Sequence, residues 1–277
     1  MLLSTTVAKA VAAIVIARVV GTRRPQVNGL PRKGEIVREF HSRLQNELPR
    51  PVELWGVRVA SRGSRLPDAE RAVLASFLRA RDWSVDEATY MLTSSLKWRK
   101  EFGVEQLRGS QFGDLPRELV SAGRDSKGRL LVVLRLGELG GECFNDMDRF
   151  VRWRVYMQEA LNAQLNFAQG DPKYTLVLNC EGFCSGHFSK AARRCAKELA
   201  RVSQDNYPDF LSQILICNPP AIFAFAFGVL RPFLPRNFVK MIRVHIGDEA
   251  SCLAQEGHNV RAGVRSAAGK QLAMAPS

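Results

Sequence analysis

The first 34 residues lack any acidic side chain, since the first carboxylate of the chain belongs to Glu35. They carry six basic residues, and their apolar run, Ala10–Ala17, is about half as long as the roughly 20 residues that a membrane-spanning helix needs. A membrane-spanning helix is therefore not expected. Three interpretations of this basic leader, residues 1–34, stay open: an organelle-targeting segment, an interfacial anchor, or a disordered leader without a role.

Cysteine is too sparse to form a disulfide scaffold. Six cysteines are spread over 277 residues without the spacing of a small cross-linked domain. A chain of this length can also bury a full core without such cross-links. We therefore expect reduced thiols and an intracellular protein.

Signals for catalysis and for a bound metal are also missing. Gly137–Gly141 lacks the spacing of a dinucleotide-binding loop, and Gly182–Gly186 places its serine one position too late for a nucleophile elbow. Cys180, Cys184 and His187 lie close in sequence, but a structural zinc site needs a fourth ligand. Neither an enzyme nor a metal site is expected.

The charge of the chain is strongly one-sided. Lysine and arginine total 40 against 27 acidic residues, which gives a formal net charge of +13. Such an excess indicates an anionic partner: nucleic acid, an acidic membrane surface or a phosphorylated ligand. The basic residues are interleaved with acidic and apolar positions instead of forming a stripe with aromatics, so nucleic acid is not expected.

The apolar periodicity predicts two regions. Residues 35–105 have helical spacing, and one of their helices begins after a capping box at Ser84 and Glu87 and ends before Gly103. Strands and helices then alternate over residues 106–250, which predicts an α/β domain with a mainly parallel sheet. The composition of residues 251–277, rich in Ala, Gly and Ser, predicts a disordered tail.

The most informative segment is Asp205–Asn237. A turn at Asn206–Pro208 precedes a short apolar strand, and Pro219–Pro220 ends that strand and suits the first turn of a helix. Nearly every residue of Ala221–Leu230 is apolar. A helix of this kind has no polar face, so it must lie against a core or a lipid-like ligand.

This segment resembles the pocket mouth of the CRAL-TRIO (Sec14-like) lipid-binding family, where a strand leads into an N-A-P-type turn, an apolar gate helix and a (K/R)-P-F-L close. Phe77–Phe102 resembles the small N-terminal helical domain of that family, from about residue 66, and Tyr174–Phe183 resembles its central strand. The resemblance implies a helical domain packed on an α/β domain with an apolar pocket. The residues that match the pocket mouth are Asn218, Pro219, Arg231, Pro232, Phe233 and Leu234.

The resemblance implies that the protein binds one phospholipid, with phosphatidylinositol as the first candidate, and transfers or presents it without making or breaking a bond. It implies headgroup contacts from Arg81, Glu198 and Arg231, although Asp82 stands where the family usually has a lysine. It also implies a monomer that visits an anionic membrane surface peripherally, in the cytoplasm or on an organelle such as the endoplasmic reticulum. The gate helix and acyl pocket are implied at Ile222, Phe223, Phe225, Phe227, Leu230 and Phe233.

Two alternatives stay open at this point. Glu53–Val57 and Arg149–Leu165 are similar to a branch of the superfamily associated with haem, in which case Cys180 would stand at the position of the iron ligand. Phospholipid without any cofactor remains the first expectation. The second alternative is a membrane-interaction module that uses the same fold without transferring lipid.

Overall fold

The computed structural model of the protein describes residues 33–257, apart from residues 64, 111, 113–114, 116–119, 126–127, 171 and 221–235. The predicted gate helix, the leader up to residue 32 and the chain after residue 257 lie outside the described residues. The described chain forms a helical region followed by an α/β region, as the sequence predicts.

The helical region consists of α1 (Lys33–Glu47), the strands β1 (Val52–Leu54) and β2 (Val57–Val59), α2 (Asp68–Ala80) and α3 (Val85–Phe102). The α/β region consists of β3 (Val120–Arg124), β4 (Leu130–Arg135), α4 (Met147–Asn162), β5 (Tyr174–Asn179), α5 (Lys190–Asn206), β6 (Leu211–Cys217), α6 (Arg236–Met241), β7 (Ile242–His245) and α7 (Glu249–Gln255).

The ends of α3 follow the predicted capping residues. The Ser84 hydroxyl accepts a hydrogen bond from the backbone N–H of Glu87 at 3.3 Å, which satisfies one free donor of the first turn. Gly103 ends the helix with a φ of 75°, a left-handed conformation that glycine adopts without steric cost.

The main sheet has five strands in the order β3-β4-β5-β6-β7. β4 to β7 are parallel neighbours, and β3 is an antiparallel edge strand beside β4. The prediction of a mainly parallel sheet is therefore confirmed. The antiparallel edge was not predicted.

Each face of this sheet is buried by a different layer. Val132 of β4 and Leu178 of β5 belong to a large core shared with the helical region, α4 and α5. Their chain neighbours Val133 and Val177 point to the opposite face and join a smaller cluster with Leu253 of α7. Because side chains alternate along a strand, strands buried on both faces appear in the sequence as unbroken apolar runs.

A helix stands where the disordered tail was predicted to begin. The Asp248 carboxylate caps α7 by accepting a hydrogen bond from the N–H of Ser251 at 2.7 Å. Cys252 and Leu253 are buried under the sheet. The tail prediction is therefore wrong for residues 251–255, because two apolar side chains in an Ala- and Ser-rich segment gave too weak a periodicity to reveal this helix.

Candidate ligand pocket

An apolar cavity lies between the first face of the sheet and the helices α4 and α5. Its volume is about 130 Å³, against the roughly 10–15 Å³ that a single water needs. The sheet contributes Val132 and Leu134 from β4, together with Leu176 and Leu178 from β5. The wall is thus made by the alternate side chains that the two parallel strands direct to the same face.

The helix α5 has one face for the cavity and another for water. Ala192, Ala196 and Leu199 line the cavity at helical spacing. The two alanines are buried but small, so they cover the sheet without filling the space beneath them. On the exposed side the helix carries Lys190, Arg194, Lys197 and Arg201.

His187 is a polar residue of the cavity wall whose two ring nitrogens both have partners. Its Nδ1 accepts a hydrogen bond from the backbone N–H of Cys184 at 3.1 Å, so Nε2 carries the proton and donates to the carbonyl of Leu136 at 2.9 Å. The ring also stacks on Phe183 with centroids 4.4 Å apart. Through these contacts His187 holds two loops together, and both of its ring nitrogens are occupied by backbone groups instead of a metal.

Arg154 of α4 also lines the cavity, and no carboxylate of the described residues forms an ion pair with it. Its Nη1 is buried and has no hydrogen-bond partner among the described residues. The guanidinium carbon lies 5.6 Å from the centroid of the Trp153 ring, so the cation rests against an aromatic face. Burial lowers the pKa of Arg154 to about 10, and the group therefore stays cationic at neutral pH.

Behind the cavity, a buried ion pair joins the helical region to the α/β region. Arg99 of α3 donates two hydrogen bonds to the Glu159 carboxylate of α4, at 2.7 and 2.8 Å. The hydroxyl of Tyr207, a cavity residue, donates to Glu159 Oε1 at 2.7 Å, and Trp55 Nε1 lies 3.4 Å from the same oxygen. Burial lowers the pKa of Arg99, but the hydrogen bonds and charge of Glu159 outweigh it and leave that pKa raised.

Sequence reasoning missed this ion pair. The only available signal was the position of Arg99, which continues the buried face of α3 after Leu92 and Ser95. A charge on an otherwise buried helix face needs a partner, but the sequence does not say which carboxylate supplies it.

The predicted headgroup residues are not brought into contact with one another. The Arg81 guanidinium donates to the backbone carbonyls of Ala80 and Gln204, at 3.0 and 3.1 Å. Glu198 accepts hydrogen bonds from Arg201 at 2.5 and 3.1 Å, which lower the pKa of its carboxyl. Neither Arg81 nor Glu198 is among the described lining residues of the cavity.

The remaining predicted site residues lie outside the described residues. They are Arg231 and the residues assigned to the gate helix and acyl pocket, Ile222, Phe223, Phe225, Phe227, Leu230 and Phe233.

Cys180, the iron ligand of the haem alternative, is buried outside the described lining of the cavity. The side chain is 6% exposed, and burial raises the pKa of its thiol to about 12. Its Sγ lies 3.9 Å from the carbonyl oxygen of Leu178, and Cys180 is not among the described residues that line the cavity. The free thiol therefore stays protonated at neutral pH, and the role of Cys180 as a haem ligand stays a prediction.

The described residues hold no cluster of three or more His, Cys, Asp or Glu side chains that could bind a metal ion. Cys184 and His187 do lie together, with Sγ 3.4 Å from Nδ1, but they form only a pair. In the same part of the chain, no helix is both long enough and apolar enough to cross a membrane.

Comparison with known proteins identifies two domains in the order of the two regions. Residues 36–94 match the CRAL/TRIO N-terminal domain, and residues 119–257 match the CRAL/TRIO domain. The crystal structure of Sfh5 has the same fold, with a TM-score of 0.67 at 18% sequence identity over 82% of this chain and 85% of that chain.

Curated relatives match over much of this chain but over a smaller part of their own length. Patellin-3 of Arabidopsis thaliana is 28% identical over 204 residues, which are 70% of this chain and 41% of that protein. Phosphatidylinositol transfer protein sfh5 of Aspergillus clavatus is 28% identical over 226 residues, which are 74% of this chain and 50% of that protein. The chain therefore spans half or less of these two relatives.

Proposed function

We propose a lipid-binding function from the family to which the chain belongs, the CRAL/TRIO family, as its two domain matches show. Membership places it in a lipid-binding and lipid-transfer family. The protein binds a single phospholipid in the cavity between the sheet and the helices α4 and α5, and carries it between membranes. Phosphatidylinositol is the first candidate, because the relative sfh5 is named a phosphatidylinositol transfer protein.

The observation that carries this proposal is the wall of the cavity. Leucine, valine and alanine side chains of the two central strands and of α5 leave an apolar space inside an otherwise packed core. Protein interiors are packed about as densely as organic crystals, so a space of this size points to an occupant. Acyl chains match walls of this kind because they form no hydrogen bonds.

The outer face of α5 supports transient peripheral binding to an anionic membrane. Lys190, Arg194, Lys197 and Arg201 are exposed and recur at the spacing of one helical face. Near an anionic leaflet each such charge contributes roughly 1 kcal/mol of attraction, and this attraction weakens as salt rises. The same helix thus lines the ligand cavity on one side and offers cations to the lipid surface on the other.

Transfer of fluorescent phosphatidylinositol between vesicles tests the function. Ala196→Phe should fill the cavity and reduce transfer by an order of magnitude, because the added ring takes the place of the ligand. Ala254→Phe is the matched control, since Ala254 is exposed on α7 across the sheet. Equal transfer by wild type and Ala196→Phe would contradict the proposal. If the wild type binds phosphatidylinositol but does not transfer it between vesicles, the result would favour the membrane-interaction module.

The same assay tests the headgroup role that the family resemblance implies for Glu198. To reach a headgroup, this carboxylate must leave its pair with Arg201. Glu198→Ala should therefore slow the transfer of phosphatidylinositol more than that of phosphatidylcholine. If both lipids move as they do with the wild type, the headgroup lies elsewhere.

A further inference from the structure

The cavity wall contains a charge that the proposed function does not yet use. Arg154 is the one lysine or arginine among the described residues that line the cavity. Every other described lining residue is apolar or formally neutral, and the polar ones include Gln158 and Ser203. A cation among apolar walls is costly unless something neutralises it, because its hydration is lost.

No protein group in the described part of the chain neutralises Arg154. Glu159 follows it on α4 but accepts two hydrogen bonds from Arg99 and one from Tyr207. No ion pair joins Arg154 to a carboxylate of the described residues, and its buried Nη1 has no acceptor. The contact with the Trp153 ring, 5.6 Å away, stabilises the cation without supplying that acceptor.

The neighbours of Arg154 place this unfilled donor on the ligand side of α4. Gln158 lies one turn further along the helix and also lines the cavity, as does Val155. The Gln158 amide is directed to Asn162 Oδ1 at 2.6 Å, so the guanidinium remains the stronger donor available to a ligand. A guanidinium presents donors in a planar fork that matches a carboxylate or a phosphate.

We propose that Arg154 binds the acid group of an anionic amphiphile inside the cavity, so that the pocket selects a negatively charged lipid over a neutral one. This inference rests on the proposed function and specifies the ligand class. It places the anion at Arg154 of α4 instead of at Arg81 and Arg231, the cations that the family resemblance implies. The acid group is the phosphodiester of a phospholipid or the carboxylate of a free fatty acid, since both present anionic oxygens to the fork.

The test compares lipid uptake by the wild-type chain, Arg154→Met and Arg154→Lys. Each protein is incubated with vesicles of digalactosyldiacylglycerol, a neutral bilayer lipid without phosphate, that contain phosphatidylinositol, diacylglycerol with the same acyl chains, or oleic acid. The protein is then separated from the vesicles and its bound lipid is quantified. Arg154→Met keeps an unbranched apolar stem but loses the charge, whereas Arg154→Lys keeps the charge and loses the fork.

We expect Arg154→Met to bind the acidic probe roughly ten- to a hundredfold more weakly than wild type does, the value of a hydrogen bond to a charged group. Uptake of diacylglycerol should stay the same or rise, and Arg154→Lys should retain part of the uptake of the acidic probe. Loss confined to phosphatidylinositol identifies a phosphodiester, and loss confined to oleic acid identifies a carboxylate.

Thermal unfolding of the ligand-free proteins separates a binding role from a structural one. Arg154 is half-buried, and its buried Nη1 has no acceptor among the described residues, so the Tm of Arg154→Met should be equal to or above that of wild type. A lower Tm with equal loss of all three probes would show that Arg154 only supports the fold, and would overturn the inference. Unchanged uptake of every probe by Arg154→Met would overturn it while leaving the proposed function intact, and no uptake of any probe by the wild type would overturn both.

Discussion

At the scale of single residues, the charges buried in this protein have different roles. Arg99 and Glu159 neutralise each other between the two regions of the molecule, and Arg154 faces the cavity with a donor, Nη1, that has no acceptor among the described residues. The pair gains little net free energy over apolar packing, because both ions lost their hydration. We expect the pair to fix one arrangement of α3 against α4, since any other would leave a charge buried alone.

Replacing Glu159 by Gln tests this role. The substitution keeps the shape of the side chain but leaves Arg99 buried without a counter-charge, so the free energy of unfolding should fall by about 3–5 kcal/mol. Urea denaturation measures the loss. Glu105→Gln is the matched control, because Glu105 contacts the same guanidinium at 3.2 Å but is 59% exposed, and its loss should cost less than about 1 kcal/mol. Similar losses in the two variants would show that the buried pair has no special role.

Buried charges were also where sequence reasoning was weakest. A charged residue in a helix is usually exposed to solvent, and a single sequence does not show that α3 and α4 contact each other at Arg99 and Glu159. Arg154 lies within a segment that the family resemblance singled out, but its position on the cavity wall depends on the packing of α4 against the sheet. Cys180 was considered only as the iron ligand of the haem alternative, from its place after β5, and the sequence does not show that its side chain is buried outside the described lining of the cavity.

At the scale of elements, prediction succeeded where local signals agreed. The helix α3 has its capping serine, its apolar face and its terminal glycine in the sequence, so both of its ends were predictable. The strands β4 and β5 were evident as apolar runs. The helix α7 lacks a comparable pattern and is held by tertiary contacts instead: Glu249 accepts a hydrogen bond from Arg135 at 3.1 Å and lies 3.3 Å from the Asn179 amide.

The contribution of α7 can be measured by truncating one side chain. Leu253 is 2% exposed beneath the sheet, so Leu253→Ala should lower the free energy of unfolding by about 2–5 kcal/mol in urea. Tyr90→Ala is the control, because Tyr90 is 75% exposed and its truncation should change stability by less than about 0.5 kcal/mol. If Leu253→Ala is as stable as the wild type, residues 249–255 behave as the tail that the composition suggested.

In the whole molecule, the two faces of the main sheet are packed differently. Its second face forms a hydrophobic cluster with α7, whereas its first face leaves a cavity under α4 and α5. The helical region is fixed to this first side through Arg99 and Trp55, which contact Glu159 behind the cavity. The family and this division into two regions were predictable from sequence, because segments that carry the family resemblance lie in both regions. The identity of the ligand was not, because it depends on the few polar groups that face the cavity.

We expect the cavity beneath α4 and α5 to hold one lipid, and native mass spectrometry of the protein purified from cells shows a bound lipid as added mass. Our expectation is one added mass per chain, released on denaturation as an anionic lipid and absent from Ala196→Phe. A wild-type chain that carries no added mass under gentle ionisation, or the same added mass in Ala196→Phe, would contradict it.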